Sequence, residues 1–81
     1  MQHKPRRVVR LGSSRVPCAS PEAVIHMALA EAGRGEEILF VAPREMAEEV
    51  RKAIQALSEY LVLLDERVED EAYRVLVRRV A

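Results

Sequence analysis

The spacing of apolar residues changes several times along the first half of the chain. A short apolar run among arginines ends at Gly12, Ser13 and Ser14, which predicts a first strand over 7–11 followed by a loop. From Pro21 the apolar positions recur at helical spacing and lie on one face: Val24, Ala28, Leu29 and Ala32. Ser20 as N-cap before a proline at the first helical position, and Gly33 and Gly35 at the far end, delimit this first helix.

The next two segments predict a buried strand and a second amphipathic helix. Ile38 to Ala42 is a continuous apolar run between Glu37 and Pro43, which is typical of a central strand buried on both faces or nearly so. From Arg44 to Ser58 helical spacing returns, with charged residues outward and these apolar residues on one side: Met46, Val50, Ala53, Ile54 and Leu57.

The last third of the chain predicts a pair of strands. Tyr60 to Glu66 and Ala72 to Val80 are rich in Val, Leu and Tyr, and the second segment alternates with a period of two. Residues 68–71 would form the hairpin turn, although they lack the usual glycine. A single long helix from residue 44 onward is the alternative, because apolar residues from Val50 to Val68 also fit helical spacing with no Gly or Pro to interrupt them. We prefer the order β-α-β-α-β-β, an α/β two-layer sandwich with two helices on one face of a four-stranded mixed sheet.

Length and composition indicate one small soluble domain spanning residues 1–81, with a basic, mobile arm over residues 1–6. The chain has 81 residues, of which 49% are hydrophobic, and a formal net charge of zero. No apolar run approaches the roughly 20 residues that a membrane-spanning helix needs, and no secretory signal follows the basic start. A single cysteine cannot form an internal disulfide, so a reducing cytoplasm is the expected compartment.

The zero net charge conceals an uneven distribution. Five basic residues precede the first acidic residue, Glu22, namely Lys4, Arg6, Arg7, Arg10 and Arg15. This basic arm would make weak contacts with RNA phosphates or with an acidic protein. The alternative is an ordinary solvated terminus, since no aromatic residue is interleaved for base stacking.

Cys18, the only cysteine, is the candidate for chemistry. It begins the segment Cys18-Ala19-Ser20-Pro21 immediately before the predicted first helix. A helix start offers unpaired backbone N–H groups and the positive end of the helix dipole, and both favour a thiolate over a thiol. The sequence therefore predicts a nucleophile here, against the alternative that Cys18 packs as a small apolar residue.

These residues resemble the TusA/SirA-like family of small sulfur-carrier proteins. The family signature is Cys-Pro-x-Pro at the start of the first helix, and Cys18 and Pro21 occupy its first and last positions, whereas Ala19 stands where the family has its first proline. The pair Gly35-Glu36 before an apolar strand ending in Ala42 is also similar to the family, as is the closing segment Tyr73 to Arg79. The loop from Gly12 to Cys18 is longer than in the family, and Pro43-Arg44 replaces the usual Asp-Pro. The fold that the resemblance implies is the one read from the residues.

The resemblance implies a carrier that works with partner proteins and without a cofactor. The Cys18 thiolate would accept persulfide sulfur from a cysteine desulfurase or another persulfide donor, and would pass it to a downstream sulfur acceptor protein. Pro21 and Ser20 would support the motif, and Arg15 would help to lower the thiol pKa. The carrier would be a sulfurtransferase-like cosubstrate rather than a complete enzyme.

Two other function classes remain open. One is a noncatalytic interaction module of the same fold, with a homodimer through the sheet edge as one form. The other is an Alba-like nucleic-acid-binding protein, which shares the order of elements, although Glu69, Asp70 and Glu71 would repel phosphate where that family tends to have a basic hairpin.

The remaining polar motifs favour structural roles. His26 beside a lone cysteine falls short of a metal set, and Gly33 to Glu36 is a helix-to-strand turn rather than a phosphate loop. Glu45, Glu48 and Glu49 fit a solvated helix face. Met27 and Met46 suit core packing.

Overall fold

The computed structural model describes residues 7–12 and 20–81. Within these residues, four strands and two α-helices follow in the predicted order, and one turn of 3-10 helix (Arg44–Met46) leads into the second helix. The elements are β1 (Arg7–Arg10), α1 (Pro21–Glu31), β2 (Glu37–Pro43), α2 (Ala47–Ala56), β3 (Leu61–Glu69) and β4 (Ala72–Arg79). The strands form one sheet in the spatial order β1-β2-β4-β3, in which β1 runs parallel to β2 and the other neighbours are antiparallel. The α/β two-layer sandwich with a mixed sheet is confirmed.

The core lies between the two helices and one face of this sheet. Alternate residues of β2 (Ile38, Phe40 and Ala42) and of β4 (Tyr73, Val75 and Val77) point into it. On the opposite face of β2, Leu39 and Val41 are only half-buried. The predicted central position of this strand is confirmed, since β2 lies between β1 and β4. Its second face is less buried than predicted, because the two helices cover the other face.

The buried side of α1 differs from the predicted one by one position. Ile25 is completely buried beside Ala28 and Leu29, whereas Val24 is half-buried. Met27 is 63% exposed, so the prediction that it packs in the core is wrong; two positions after Ile25, it lies on the far side of the helix. Met46 is half-buried against the core.

The alternative of one long C-terminal helix is wrong. Residues 61–79 form a β-hairpin in which Glu69 pairs with Ala72 across the turn at Asp70 and Glu71. The period of two in Tyr73, Val75 and Val77 decides the structure, since it places all three side chains on the core face of a strand. The turn lies within the predicted segment and lacks glycine, so Asp70 adopts a positive φ of 53°.

Arginines from two strands hold the C-terminal end of α1. The Arg79 guanidinium donates to the carbonyl oxygens of Leu29, at 2.8 Å, and Ala32. Arg7 donates to the carbonyl oxygen of Glu31 and forms a 2.9 Å ion pair with Glu36. These contacts satisfy carbonyls that a helix end leaves unpaired, and they place positive charge at the negative end of the helix dipole. They fix α1 on the sheet, and with it the position at which α1 begins.

Candidate functional site

The predicted site spans the boundary between the described and the undescribed residues. Cys18 and Arg15 lie within residues 13–19, outside the described residues, so their predicted roles stay predictions. Ser20 and Pro21 are described, and they form the start of α1 that the sequence indicates. On the other side of the segment, the chain ends β1 at Arg10 and continues through Leu11 to Gly12. The structure thus defines the two ends between which the cysteine lies in sequence.

Ser20 caps α1 as predicted. Its backbone is extended and its hydroxyl oxygen accepts a 3.1 Å hydrogen bond from the N–H of Ala23, while its carbonyl oxygen accepts one from the N–H of Val24. Pro21, at the first helical position, has no N–H to leave unpaired. Of the amides in the first turn, only that of Glu22 is left without an acceptor among residues 7–12 and 20–81.

The start of α1 has fewer unpaired amides than the sequence predicts. The sequence alone indicates a helix end with several unpaired amides, but Ser20 and Pro21 account for most of them. The end of α1 retains the N–H of Glu22 and the positive end of the helix dipole as groups that favour an anion nearby. The carboxylate of Glu22 lies in the same turn and opposes that preference.

Gly12 sets the course of the chain where it leaves β1. Its φ is 77°, and a Cβ at this position would lie 2.9 Å from both Cγ and Cδ of Pro43. Only glycine combines this backbone conformation with so close an approach to a proline ring. The sequence marks Gly12 as a loop signal, but the contact with Pro43 joins residues that are distant in the chain and has no local signature.

A mainly apolar cleft of about 280 Å³ lies between the end of β1 and the start of α1. Its walls include Leu11 and Gly12 on one side and Pro21, Val24 and Met27 on the other. Arg10 and Glu31 contribute charge to the lining. Gly12 and Pro21 therefore border the cleft as well as the segment that carries Cys18, and exposed Met27 lines it.

A polar cluster on the β3–β4 side of the sheet is absent from the sequence prediction. The hydroxyl of buried Tyr73 donates a 2.5 Å hydrogen bond to Oε2 of Glu66, and Arg51 forms a 2.8 Å ion pair with the same oxygen. The Arg51 guanidinium carbon also lies 5.8 Å from the centre of the Tyr73 ring. These residues come from α2, β3 and β4, and no spacing in the sequence brings them together.

The same contacts shift the pKa values of all three side chains, and the hydrogen bond to Glu66 raises the pKa of Arg51. Burial, together with the hydrogen bond to the Glu66 carboxylate, raises the pKa of Tyr73 to about 12. The hydrogen bonds from Tyr73 and Arg51 lower the pKa of Glu66. The cluster therefore favours a neutral tyrosine, a carboxylate and a guanidinium at neutral pH, an arrangement that stabilises structure and leaves no free base.

The arginines of the sheet are mostly paired with carboxylates. Arg78 contacts Glu37 at 2.9 Å, Arg67 contacts Asp65 at 3.2 Å, and Arg74 approaches Glu69 at 3.9 Å. This pairing weighs against strong phosphate binding by the sheet. The basic arm over residues 1–6 lies outside the described residues, so its contact with RNA stays a prediction.

Within the described ranges, no group of three or more potential metal ligands comes together, and no helix is long and apolar enough to cross a membrane. His26 is exposed on α1, and Glu45, Glu48 and Glu49 are exposed as predicted. Comparison with known proteins finds no matching family model and no matching curated protein.

Proposed function

We propose that this protein is a small sulfur carrier that accepts persulfide sulfur on Cys18 and relays it to an acceptor protein. The proposal rests mainly on the position of Cys18 in the sequence, immediately before the capped start of α1. It is supported by the order of elements, which is the one that the resemblance to TusA/SirA-like proteins implies.

The chemistry requires one thiolate and no cofactor. The Cys18 thiolate attacks the outer sulfur of a persulfide on the donor, a cysteine desulfurase or another persulfide-bearing protein. A new S–S bond forms to Cys18, the S–S bond of the donor breaks, and the donor leaves as a thiolate. An acceptor nucleophile then attacks the outer sulfur, and Cys18 leaves as a thiolate. Neither step needs an external oxidant or reductant.

Two features of the described residues support this role. The helix dipole of α1 favours negative charge near its first turn, as does the amide of Glu22, which has no acceptor among residues 7–12 and 20–81. A lower thiol pKa raises the fraction of reactive thiolate at neutral pH. The apolar cleft between β1 and α1 provides a surface beside Gly12 and Pro21 on which a donor or acceptor chain can pack. A reducing cytoplasm, in which the single thiol stays free, is the compartment that we propose.

Loading with a persulfide donor tests the proposal. The full chain is incubated with a small-molecule persulfide, freed of excess reagent, and analysed by intact mass spectrometry under non-reducing conditions. We expect an increment of one sulfur atom that reducing agent removes and that Cys18→Ser lacks. Wild-type protein that stays unmodified while a control thiol protein is loaded contradicts the proposal, as does an equal increment in Cys18→Ser.

A further inference from the structure

Strand β3 forms an exposed edge of the sheet. It is nine residues long, and only Leu61 within it is buried. Four of its apolar residues are between 39% and 50% exposed, namely Val62, Leu63, Leu64 and Val68. Among the described residues, no strand pairs with its outer side. Long exposed edges with apolar side chains favour pairing with another strand, and β3 contains no proline to prevent it.

The hydrogen bonds around β4 show which backbone groups of β3 point outward. The N–H of Arg79 bonds to Glu36 on the β2 side, and the N–H of Val80 bonds to Tyr60 on the β3 side. The backbone N–H and C=O groups of successive residues in a strand point alternately to its two sides. Those of Leu76, Arg74 and Ala72 therefore point toward β3. Their partners there are Asp65, Arg67 and Glu69. The N–H and C=O groups of Glu66 and Val68 therefore point away from β4, to the open edge.

A second copy of β3 fits this edge in an antiparallel arrangement. Two identical antiparallel strands pair around a two-fold axis. One residue then lies opposite the same residue of the other copy, and the residue before it in each copy lies opposite the residue after it in the other. With Glu66 at the axis, Glu66 of each copy offers its outward N–H and C=O to the other, as a hydrogen-bonded pair requires. Asp65 then lies opposite Arg67 of the other copy on both sides of the axis, in the closer, non-hydrogen-bonded type of pair. Val68 lies opposite Leu64, the extra residue at the bulge of β3.

The charges of β3 favour this register over its neighbours. An axis at Arg67 would place two arginines together and would oppose Asp65 with Glu69. An axis at Asp65 would place two aspartates together. An axis at Val68 would pair Arg67 with Glu69, but it would also oppose Glu66 with Asp70 and Asp65 with Glu71. With the axis at Glu66, both flanking pairs are of opposite charge, and opposite charges across a strand pair stabilise it.

The one like-charge contact in this register is already compensated. Glu66 lies opposite Glu66, but each carboxylate accepts from its own Tyr73 hydroxyl and pairs with its own Arg51. The two Glu66 carboxylates would face each other at the axis on the helix-covered face, each with its charge balanced by the Arg51 of its own chain. Asp65 and Arg67, on the opposite face, would supply two further ion pairs.

We propose that two copies of the chain associate through β3, with Glu66 at the two-fold axis, to form a continuous eight-stranded sheet. The partner of β3 is a second copy of β3, because its charged side chains and its outward N–H and C=O groups match those of an identical antiparallel strand. The dimer does not depend on the sulfur chemistry of Cys18, which lies outside β3.

The mass of the full chain in solution tests the association. We expect the mass to rise with concentration from that of one chain, 9.2 kDa, toward that of two, as measured by sedimentation or light scattering. Val68→Pro removes an outward N–H and leaves the ladder to β4 intact, so it should raise the dimer dissociation constant by at least about tenfold. Val68→Ala is the matched control, and circular dichroism confirms that both variants are folded.

Exchanging the charges of Asp65 and Arg67 tests the register of the proposed β3–β3 pair. Asp65→Arg and Arg67→Asp each place like charges opposite one another across the axis and should each weaken the dimer by about tenfold. The double variant restores opposite charges and should return the dissociation constant to within about threefold of the wild type. Arg10→Asp, on the far edge strand β1, should leave it unchanged. A monomer at all concentrations, a dimer insensitive to Val68→Pro, or a double variant as weak as the single ones overturns the proposal.

Discussion

Single residues on the β3–β4 side of the sheet account for the pH response expected of this fold. Tyr73 is buried, yet its hydroxyl reaches the carboxylate of Glu66, which Arg51 also contacts. A tyrosine that is protonated in this setting donates a strong, charge-assisted hydrogen bond. Ionising it would place a second negative charge beside Glu66, so the folded state resists its deprotonation.

Tyr73→Phe should therefore change stability in a pH-dependent manner. The folded pKa of Tyr73 is raised to about 12, above the unfolded value of about 10. Its contribution is thus fully present below about pH 10 and is lost as the pH rises toward 12. We expect Tyr73→Phe to lower the free energy of unfolding by about 1 kcal/mol at neutral pH.

Urea unfolding as a function of pH measures both effects. The loss of stability between about pH 10 and 12 should be smaller in Tyr73→Phe than in the wild type, whereas Tyr60→Phe, at an exposed tyrosine, should retain it. On the acid side, the lowered pKa of Glu66 stabilises the fold above its unfolded pKa and loses effect as the pH falls through the folded value. An identical alkaline profile in wild type and Tyr73→Phe contradicts this account of the cluster.

Secondary-structure elements are where sequence and structure agree best. The start of α1 follows from Ser20 and Pro21, and β4 follows from its period of two, because caps and alternation act within a few neighbouring residues. The helix-covered face of β2 was harder to predict, since a continuous apolar run does not show which side will be covered. The cluster of Tyr73, Glu66 and Arg51 was beyond prediction, because it depends on tertiary packing of three elements.

The candidate site, like the secondary structure, was predictable only where neighbouring residues determine it. The cap and the first turn of α1 follow from local sequence, and the resemblance draws attention to Cys18 itself. The approach of Gly12 to Pro43, and the cleft between β1 and α1, depend on how distant segments pack. Local patterns therefore identified the candidate residues, and the tertiary structure supplied the surface around them.

The cap of α1 gives a direct prediction. Ser20→Ala removes the acceptor for the N–H of Ala23, so the free energy of unfolding should fall by about 1 kcal/mol. Ser20→Gly should cost only a few tenths, since water can reach the freed amide. Equal stability of wild type and Ser20→Ala in denaturant titrations would show that the cap contributes nothing.

A substitution in the turn between β3 and β4 is expected to raise the free energy of unfolding. Asp70 has a φ of 53°, and only this residue of the two-residue turn is in the positive region. Glycine adopts such a conformation without steric cost, although it loses more entropy on folding. We expect Asp70→Gly to raise the free energy of unfolding by about 0.5–1 kcal/mol, and Glu71→Gly, the matched control, to lower it. A less stable Asp70→Gly protein would argue against strain at this position.

The whole molecule brings the start of α1, the end of β1 and the intervening cleft to one region, while β3 forms the edge at the other side of the sheet. In the order β1-β2-β4-β3, two strands separate these edges. A dimer formed through β3 would leave β1 outside the paired strands. Under our proposals, sulfur relay and self-association therefore use separate surfaces, and each can be removed by substitution without the other.

Transfer of labelled sulfur out of the loaded protein tests the central claim most directly. The chain is loaded from a persulfide donor carrying a sulfur isotope, separated from the donor, and mixed with a small-molecule thiol. The account predicts that the label appears in the thiol as a persulfide, that the protein returns to its unmodified mass, and that Cys18→Ser transfers nothing while Val68→Pro transfers normally. Label that never enters the protein, or that enters and leaves equally well in Cys18→Ser, would contradict it.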